Sequence, residues 1–324
     1  MALRYEIIKP IEDSLKEFNL QYEGLSDSGI KLLDTMVSHI GQTRGKQLRP
    51  ILLLLISGAF NKTSDKAVRA ALAIETLHIT TLIHDDVVDE SLLRRGKQTL
   101  NSIWGNKLAV LVGDYLYAKA LNILVEIDDK EILKTISSVA QEMGEGELLQ
   151  QENAREYNLT EDRYYEVIRK KTAVLFSACC KIGAIAGNAT EEEIKTMTLF
   201  GECLGIAFQI QDDILDYSKE LNTGKTYGND IREQKITLPL ILGLNNATEK
   251  QRAEIRDLYH KETITQQEVD NIIDTITELG GIAKAKETID MYINKAYTLL
   301  DCLPNNQYKQ SLQLLIHDIA TREK

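Results

Sequence analysis

Two acidic clusters of one form, Asp85-Asp86-Val87-Val88-Asp89 and Asp212-Asp213-Ile214-Leu215-Asp216, are the residues best suited to chemistry in this sequence. On a helix the first and third aspartates of each cluster lie four positions apart and the second and third lie three apart, so the carboxylates crowd one face. Like charges placed so closely repel each other, and the first cluster falls at a helix C-terminus, the wrong end for anions. Divalent cations answer that repulsion. Magnesium takes oxygen ligands, commonly one or two carboxylates together with the phosphate oxygens of a substrate. One such cluster reads almost as well as a solvated acidic helix end. Two copies, each behind a strongly apolar stretch (Leu82-Ile83 and Leu204 to Ile210), favour the metal and a diphosphate clamped through it.

A diphosphate site also needs fixed cations. Lys46 and Arg49 stand in a Gly45-to-Pro50 turn before an apolar helix, and Arg94-Arg95-Gly96 follows the first acidic cluster closely. Lys170-Lys171-Thr172 sits in a helical stretch, and Thr223-Gly224-Lys225 ends the loop after the second cluster. Any one of these alone reads as a solvated surface group; their placement beside the acidic clusters raises them to phosphate contacts. His78 completes a Glu75-x-x-His78 pair, the spacing of di-iron bundles, which require a second copy from another helix. None of His39, His84, His260 or His317 has a glutamate three residues before it. A satisfied core histidine and a phosphate-facing donor both remain open for His78.

The elements that must carry these residues are helices. Apolar residues recur at three- and four-residue steps from Ser64 to Glu90, with Asp65 near the N-terminal cap. Similar patterns run through 31–60, 107–127, 130–153, 161–188, 191–217, 237–246, 250–260, 266–279, 281–301 and 306–320. Breaks gather at Gly41 to Pro50, Arg94 to Gly105, Asn222 to Asn229 and Pro304 to Asn306, and alternating strand patterns are nearly absent. The expectation is an all-α protein, a single large bundle of about a dozen helices. With four prolines and no Pro/Ser/Gly-rich linker or repeat, residues 1–324 read as one domain. A net charge of −11 argues against a nucleic-acid partner. The four cysteines form no metal spacing, and Cys179-Cys180 reads as buried helix. Residues 1–20 lack the apolar core of a signal peptide, and the run from Ile51 to Ile56 is too short to span a membrane, which fits a soluble cytoplasmic protein.

Together, the two aspartate clusters, the Gly45-Lys46-x-x-Arg49-Pro50 turn, Arg94-Arg95-Gly96 and Phe208-Gln209-x-x-Asp212-Asp213 occur in the order of the trans-isoprenyl diphosphate synthase (polyprenyl synthetase) family, which this chain resembles strongly over about residues 40–240. The resemblance implies the isoprenoid synthase fold, helices around a central cavity. It implies that Lys46, Arg49, His78 and Arg95 bind isopentenyl diphosphate. Arg94, Lys171, Thr172, Gln209, Lys225 and Lys235 would contact the allylic diphosphate. Asp85, Asp89 and Asp212 would be the principal metal ligands, with Asp86, Asp213 and Asp216 in direct or water-mediated support. The implied cofactor is Mg²⁺, about three ions per site with substrate bound. Ionisation of the allylic C–O bond, attack by the isopentenyl double bond and proton loss to the released diphosphate would follow, with Lys171, Thr172 and Gln209 facing the allylic cation. A homodimer and delivery of the product to a membrane are further implications.

Because a helix rises about 5.4 Å per turn, close to one extended isoprene unit, the turns before Asp85 form a ruler for product length. Thr80, Thr81, Leu77, Ile74, Ala73 and Ala70 leave that ruler open, with Tyr117 or Leu121 as candidate floor. This predicts an all-trans product of about eight isoprene units, near C40, of the kind used as a quinone side chain. A medium-chain synthase making geranylgeranyl or farnesylgeranyl diphosphate and a non-enzymatic subunit of a heteromeric synthase are the alternatives. A class I terpene cyclase would not need the Lys46/Arg49/His78 set or a second aspartate cluster of this type.

Overall fold

The computed structural model describes residues 5–42, 45–61, 63–219, 227–261 and 263–322, and it is 80% helical. In chain order the helices are α1 (Tyr5–Ile8), α2 (Glu12–Glu23), α3 (Lys31–Gly41), α4 (Leu48–Phe60), α5 (Asp65–Val88), α6 (Leu100–Trp104), α7 (Asn106–Ile127), α8 (Lys130–Glu156) and α9 (Glu161–Ile168). A π-turn, Arg169–Ala173, leads into α10 (Val174–Ala186), followed by α11 (Glu191–Asp216), α12 (Asn229–Arg232), α13 (Leu238–Leu244) and α14 (Glu249–Tyr259). The chain closes with α15 (Gln266–Glu278), α16 (Gly281–Leu299) and α17 (Gln307–Ala320). The all-α expectation holds. The periodic run 31–60 divides into α3 and α4, and α2 adds a helix that the periodicity did not mark.

The chain forms two compact units. The first comprises residues 1–140, 178–198 and 302–312. Its centre is α4 and α5. Ten consecutive residues of α4, Pro50 to Ala59, are buried, and Pro50 sits in the first turn, where a missing N–H is no loss. The α5 helix starts from Ser64, whose hydroxyl accepts the Ala67 N–H, and packs against α7, α4 and α2. Its middle is apolar or small on every side (Ala70, Ala71, Ala73, Ile74, Leu77), as a helix surrounded by others must be. Within that middle Glu75 is a lone buried carboxylate, and the cluster Asp85, Asp86 and Asp89 lies at the helix end. After α5 comes a two-residue antiparallel ladder, Leu93–Arg94 against Lys97–Gln98. Its tight turn is Arg95-Gly96, both at positive φ (53° and 77°), the conformation that short hairpins require. By length and composition α7 is apolar enough to cross a membrane; Val110, Leu111, Tyr117, Leu121 and Val125 are exposed on it.

The second unit comprises residues 141–177, 199–301 and 313–324. Leu240, Leu244, Ile255, Tyr259, Val269, Ile272, Ile273 and Ile276 from α13, α14 and α15 build a separate apolar core, against which Tyr217 and Ile231 also pack. That core anchors the chain on both sides of the loop following α11. Within the unit, α11 passes very close to the π-turn at Gly205. A Cβ there would lie 2.5 Å from the Ala173 Cα, so only glycine admits this approach. One helical turn beyond Gly205 is Gln209, which the same approach brings to the π-turn.

Candidate functional site

In the first unit the end of α5 and the Arg95 hairpin line a pocket with Glu75, His78, Leu82, Asp86, Arg94 and Arg95 on its wall. Arg49 Nη1 lies 3.0 Å from His78 Nε2. A guanidinium can only donate, so Nε2 accepts and a neutral imidazole carries its proton on Nδ1. Burial first, then Arg49, Arg95 and Arg94, push the His78 pKa well below the ordinary imidazole value, so the ring is neutral. Its Nδ1 is buried and has no hydrogen-bond partner among the described residues. Glu75, buried one turn before, has its pKa raised by burial and pulled back by Arg49 and Arg95. Gly45 lies directly against the Arg95 guanidinium: a Cβ there would meet Nη1 at 2.5 Å. The turn that carries Lys46 and Arg49 and the hairpin that carries Arg95 thus converge, as the sequence patterns suggested.

The three carboxylates at the end of α5 are not equivalent. Asp86 is buried and accepts Arg94 Nε at 2.8 Å, while burial raises its pKa and Arg94 draws it back down. Asp89 is the C-cap residue of α5 and is exposed. The unfavourable helix end is relieved by polar groups: the Ser91 N–H and the Asn101 side-chain amide both donate to the Asp86 carbonyl, at 2.9 and 3.1 Å.

In the second unit, Lys171, Thr172, Gln209, Asp212, Asp213 and Lys235 line one pocket together with Gln150, Asn153, Tyr164 and Asp230. A hydrogen-bonded chain crosses it. Thr172 Oγ1 donates to Gln209 Oε1 at 2.7 Å, Gln209 Nε2 donates to Asp213 Oδ1 at 2.9 Å, and Tyr164 OH donates to Asp213 Oδ2 at 2.6 Å. Asp213 is 4% exposed. Burial pushes its pKa up to about 7 against the opposing pull of Tyr164 and Gln209. Asp212 is half-exposed and pairs with Arg322 Nη2 at 3.1 Å. Asp216 accepts the backbone N–H groups of Asn229 and Asp230 at 3.0 and 2.9 Å, capping α12. Asp230 is half-buried, and desolvation and Asp216 hold its pKa well above the usual carboxylate range. Lys235 pairs with Glu233 and lies 3.8 Å from Asp230.

The π-turn carries Lys170, Lys171 and Thr172. Lys171 pairs with Glu147 at 2.5 Å and Lys170 with Glu145 at 2.5 Å, both acids on α8. A widened turn of this kind shifts the azimuth of the residues it contains, and it recurs at functional sites. Sequence reasoning missed Glu147, Asn153, Tyr164, Asp230 and Arg322. Asp230 follows the second cluster closely enough for its acidity to have been a signal, whereas Tyr164 and Arg322 approach only through the fold. Lys225 lies outside the described residues. Of the proposed ruler, Ile74, Leu77 and Thr80 are buried, Thr81 is half-buried and Tyr117 is 38% exposed. A cavity beside α5 in the first unit is lined by Thr76 and Ile79 with Val37, Ile40 and Leu116, on a neighbouring face of the helix.

Among the described residues no three His, Cys, Asp or Glu side chains converge as a ready-made metal cage.

A family model described as polyprenyl synthetase matches residues 30–276. The all-trans-nonaprenyl-diphosphate synthase (geranyl-diphosphate specific) of Rhodobacter capsulatus is 38% identical over 90% of this chain and 89% of its own length. The octaprenyl diphosphate synthase of Escherichia coli (strain K12) is 33% identical over 92% of each chain. A crystal structure of a polyprenyl synthase from Caulobacter crescentus CB15, complexed with calcium and isoprenyl diphosphate, superimposes with a TM-score of 0.93 at 30% identity, covering 98% of both chains.

Proposed function

This chain belongs to the polyprenyl synthetase family, and from that premise we propose how its residues divide the reaction and what they make. It is a trans-isoprenyl diphosphate synthase of the long-chain type, a prenyltransferase. Isopentenyl diphosphate is held in the first unit by Lys46, Arg49, Arg95 and His78. The observation that carries this assignment is His78: a neutral ring whose Nε2 is committed to Arg49 and whose buried Nδ1–H has no hydrogen-bond acceptor among the described residues. A diphosphate oxygen is the acceptor it lacks, and the surrounding guanidinium groups supply the opposite charge.

The allylic diphosphate is bound by Arg94, Lys171, Thr172, Gln209 and Lys235, with Lys225 completing the set. The donor sets fit magnesium: hard carboxylate oxygens at Asp85, Asp89 and Asp212, backed by Asp86, Asp213 and Asp216, with Asp212 already holding one cation, the Arg322 guanidinium. These residues would hold about three ions with substrate, which would supply Lewis-acid charge against the departing diphosphate. The chain's own groups do the rest. Lys171 and Lys235, now held by Glu147 and Glu233, present ammonium charge to the leaving oxygens. Thr172 and Gln209, fixed in one hydrogen-bonded chain, turn their dipoles toward the allylic cation. Lys46, Arg49 and Arg95 hold isopentenyl diphosphate so that its double bond attacks C1, and the released diphosphate takes the proton.

The product is about eight isoprene units long, measured along the turns Thr81, Thr80, Leu77 and Ile74 of α5 toward Tyr117 or Leu121, and serves as a quinone side chain. The apolar outer face of α7, with Val110 at 38%, Leu111 at 54% and Val125 at 65% exposure, favours a homodimer. The enzyme works in the cytoplasm and hands its product to a membrane. Labelled isopentenyl diphosphate, incubated with Mg²⁺ and allylic primers of several lengths, tests the reaction and the product length through chromatography of the dephosphorylated products. A C40 alcohol is expected. Incorporation into nothing with any primer removes the synthase reading, and a C20 or C25 product replaces the long ruler with a medium one. Thr81→Phe should shorten the product by several units; an unchanged distribution would exclude the ruler.

A further inference from the structure

The last described residue lies against the second aspartate cluster. Arg322 follows α17, and three contacts dock it on one face of α11. Its carbonyl accepts Gln211 Nε2 at 2.7 Å, its Nη2 reaches Asp212 Oδ1 at 3.1 Å, and its guanidinium lies 4.8 Å from the centre of the Phe208 ring. Phe208, Gln211 and Asp212 stand three and four positions apart, so they form a single helical stripe. The docking is incomplete. Arg322 Nε and Nη1 are buried and make no hydrogen bond among the described residues, although a guanidinium has five N–H groups to place. A cation seated with most of its donors unused is held well enough to occupy a site and poorly enough to leave it. The pair is also open to exchange: the Asp212 side chain is 49% exposed and that of Arg322 22%.

We propose that Arg322 is the resident counter-ion of Asp212 and competes with divalent metal for that carboxylate, so that loading the second aspartate cluster releases the C-terminal segment. A metal ion bound to Asp212 would place its charge beside the guanidinium, and two cations on one carboxylate repel. The segment is thus held by the acid that the metal must reach. This inference rests on Asp212 being a metal ligand.

The test uses Mg²⁺ with inorganic diphosphate as the probe and needs no turnover. Calorimetry measures probe affinity in the full-length wild type, Arg322→Ala and Asp212→Asn, and amide hydrogen exchange follows residues 313–322. Arg322→Ala should bind the probe roughly three- to tenfold more tightly, the range that removal of one half-exposed ion pair supports. In the wild type, exchange across 313–322 should accelerate severalfold when the probe is added. In Asp212→Asn the same segment should exchange fast from the start. Equal or weaker binding by Arg322→Ala, or unaltered protection of 313–322 in the wild type, overturns the competition. Asp212→Asn separates the two ideas: if it binds the probe as tightly as the wild type, the metal assignment of Asp212 itself fails.

Discussion

Asp86 and Asp213 occupy the same place in two copies of one pattern and both are buried, yet Asp86 meets a guanidinium while Asp213 meets a phenol and an amide. Burial raises both carboxyls. At Asp86 the charge of Arg94 is the main opposing pull; at Asp213 the donors are chiefly neutral, and the pKa climbs to about 7. The outer members diverge as well. Asp89 ends its helix in solvent, whereas Asp216 spends both oxygens on capping α12. Five letters of shared pattern thus specify a geometry of carboxylates and leave their electrostatics to residues elsewhere. Asp86 is held by a charged partner and Asp213 by neutral ones.

The largest expected effect treats the clusters as equals. Asp85→Ala and Asp212→Ala should each lower steady-state isopentenyl transfer by roughly 10³-fold or more, as loss of charge stabilisation at a leaving group does. Both variants should remain folded by circular dichroism, since each removes repulsion. A large loss in only one would mean that the clusters do not share the work. Next comes the contrast itself. Asp86→Asn strands the Arg94 guanidinium and should cost about 1–3 kcal/mol in urea unfolding, less than a fully buried pair because Arg94 is one-third exposed. Asp213→Asn at pH 8 should leave stability level or raised, because it removes a desolvated charge while Tyr164 OH can rotate to accept from the new amide. The reverse ranking would break the comparison.

The pH dependence sharpens it further. Asp213 has a folded-state pKa raised above the unfolded carboxyl value, so the folded protein binds the extra proton. Its burden on stability is absent below about pH 4 and grows as pH rises through the window to about 7. In metal-free protein that one group would contribute a decline of up to about 1.4 kcal/mol per pH unit. Unfolding measured from pH 4 to 8 should show the decline in the wild type and lose it in Asp213→Asn. The smallest effect is Tyr164→Phe, which removes one donor from Asp213 and should cost about 1 kcal/mol at pH 8 by the same measurement. No change there would assign the holding of Asp213 to Gln209 alone.

Much of this was legible in the sequence because it was local. Helical periodicity located α5, α7 and α11, and the spacing of the aspartates placed them on one helical face without any tertiary information. Arg94, eight residues after Asp86, could be suspected from proximity. Tyr164 stands 49 residues before Asp213 and Arg322 111 residues after Gln211, and pairs so distant leave no periodic trace. The capping role of Asp216 depends on the chain returning at Asn229 and Asp230, which its own helix does not announce. The split of 31–60 into α3 and α4 falls within the Gly41–Pro50 break, where Gln47 is held at a φ of 52° before α4.

The π-turn at Arg169–Ala173 gives the site a mechanical property. Helices α9 and α10 act as two threaded rods joined with a phase offset, and Lys171 and Thr172 ride on the joint. Their bearing is set by that offset and not by the packing of either rod, so it can be tuned with both rods left in place. Excision of one residue, ruinous within a regular helix, would here restore an ordinary thread. The rods would stay continuous while the lysine and threonine swung away from Gln209.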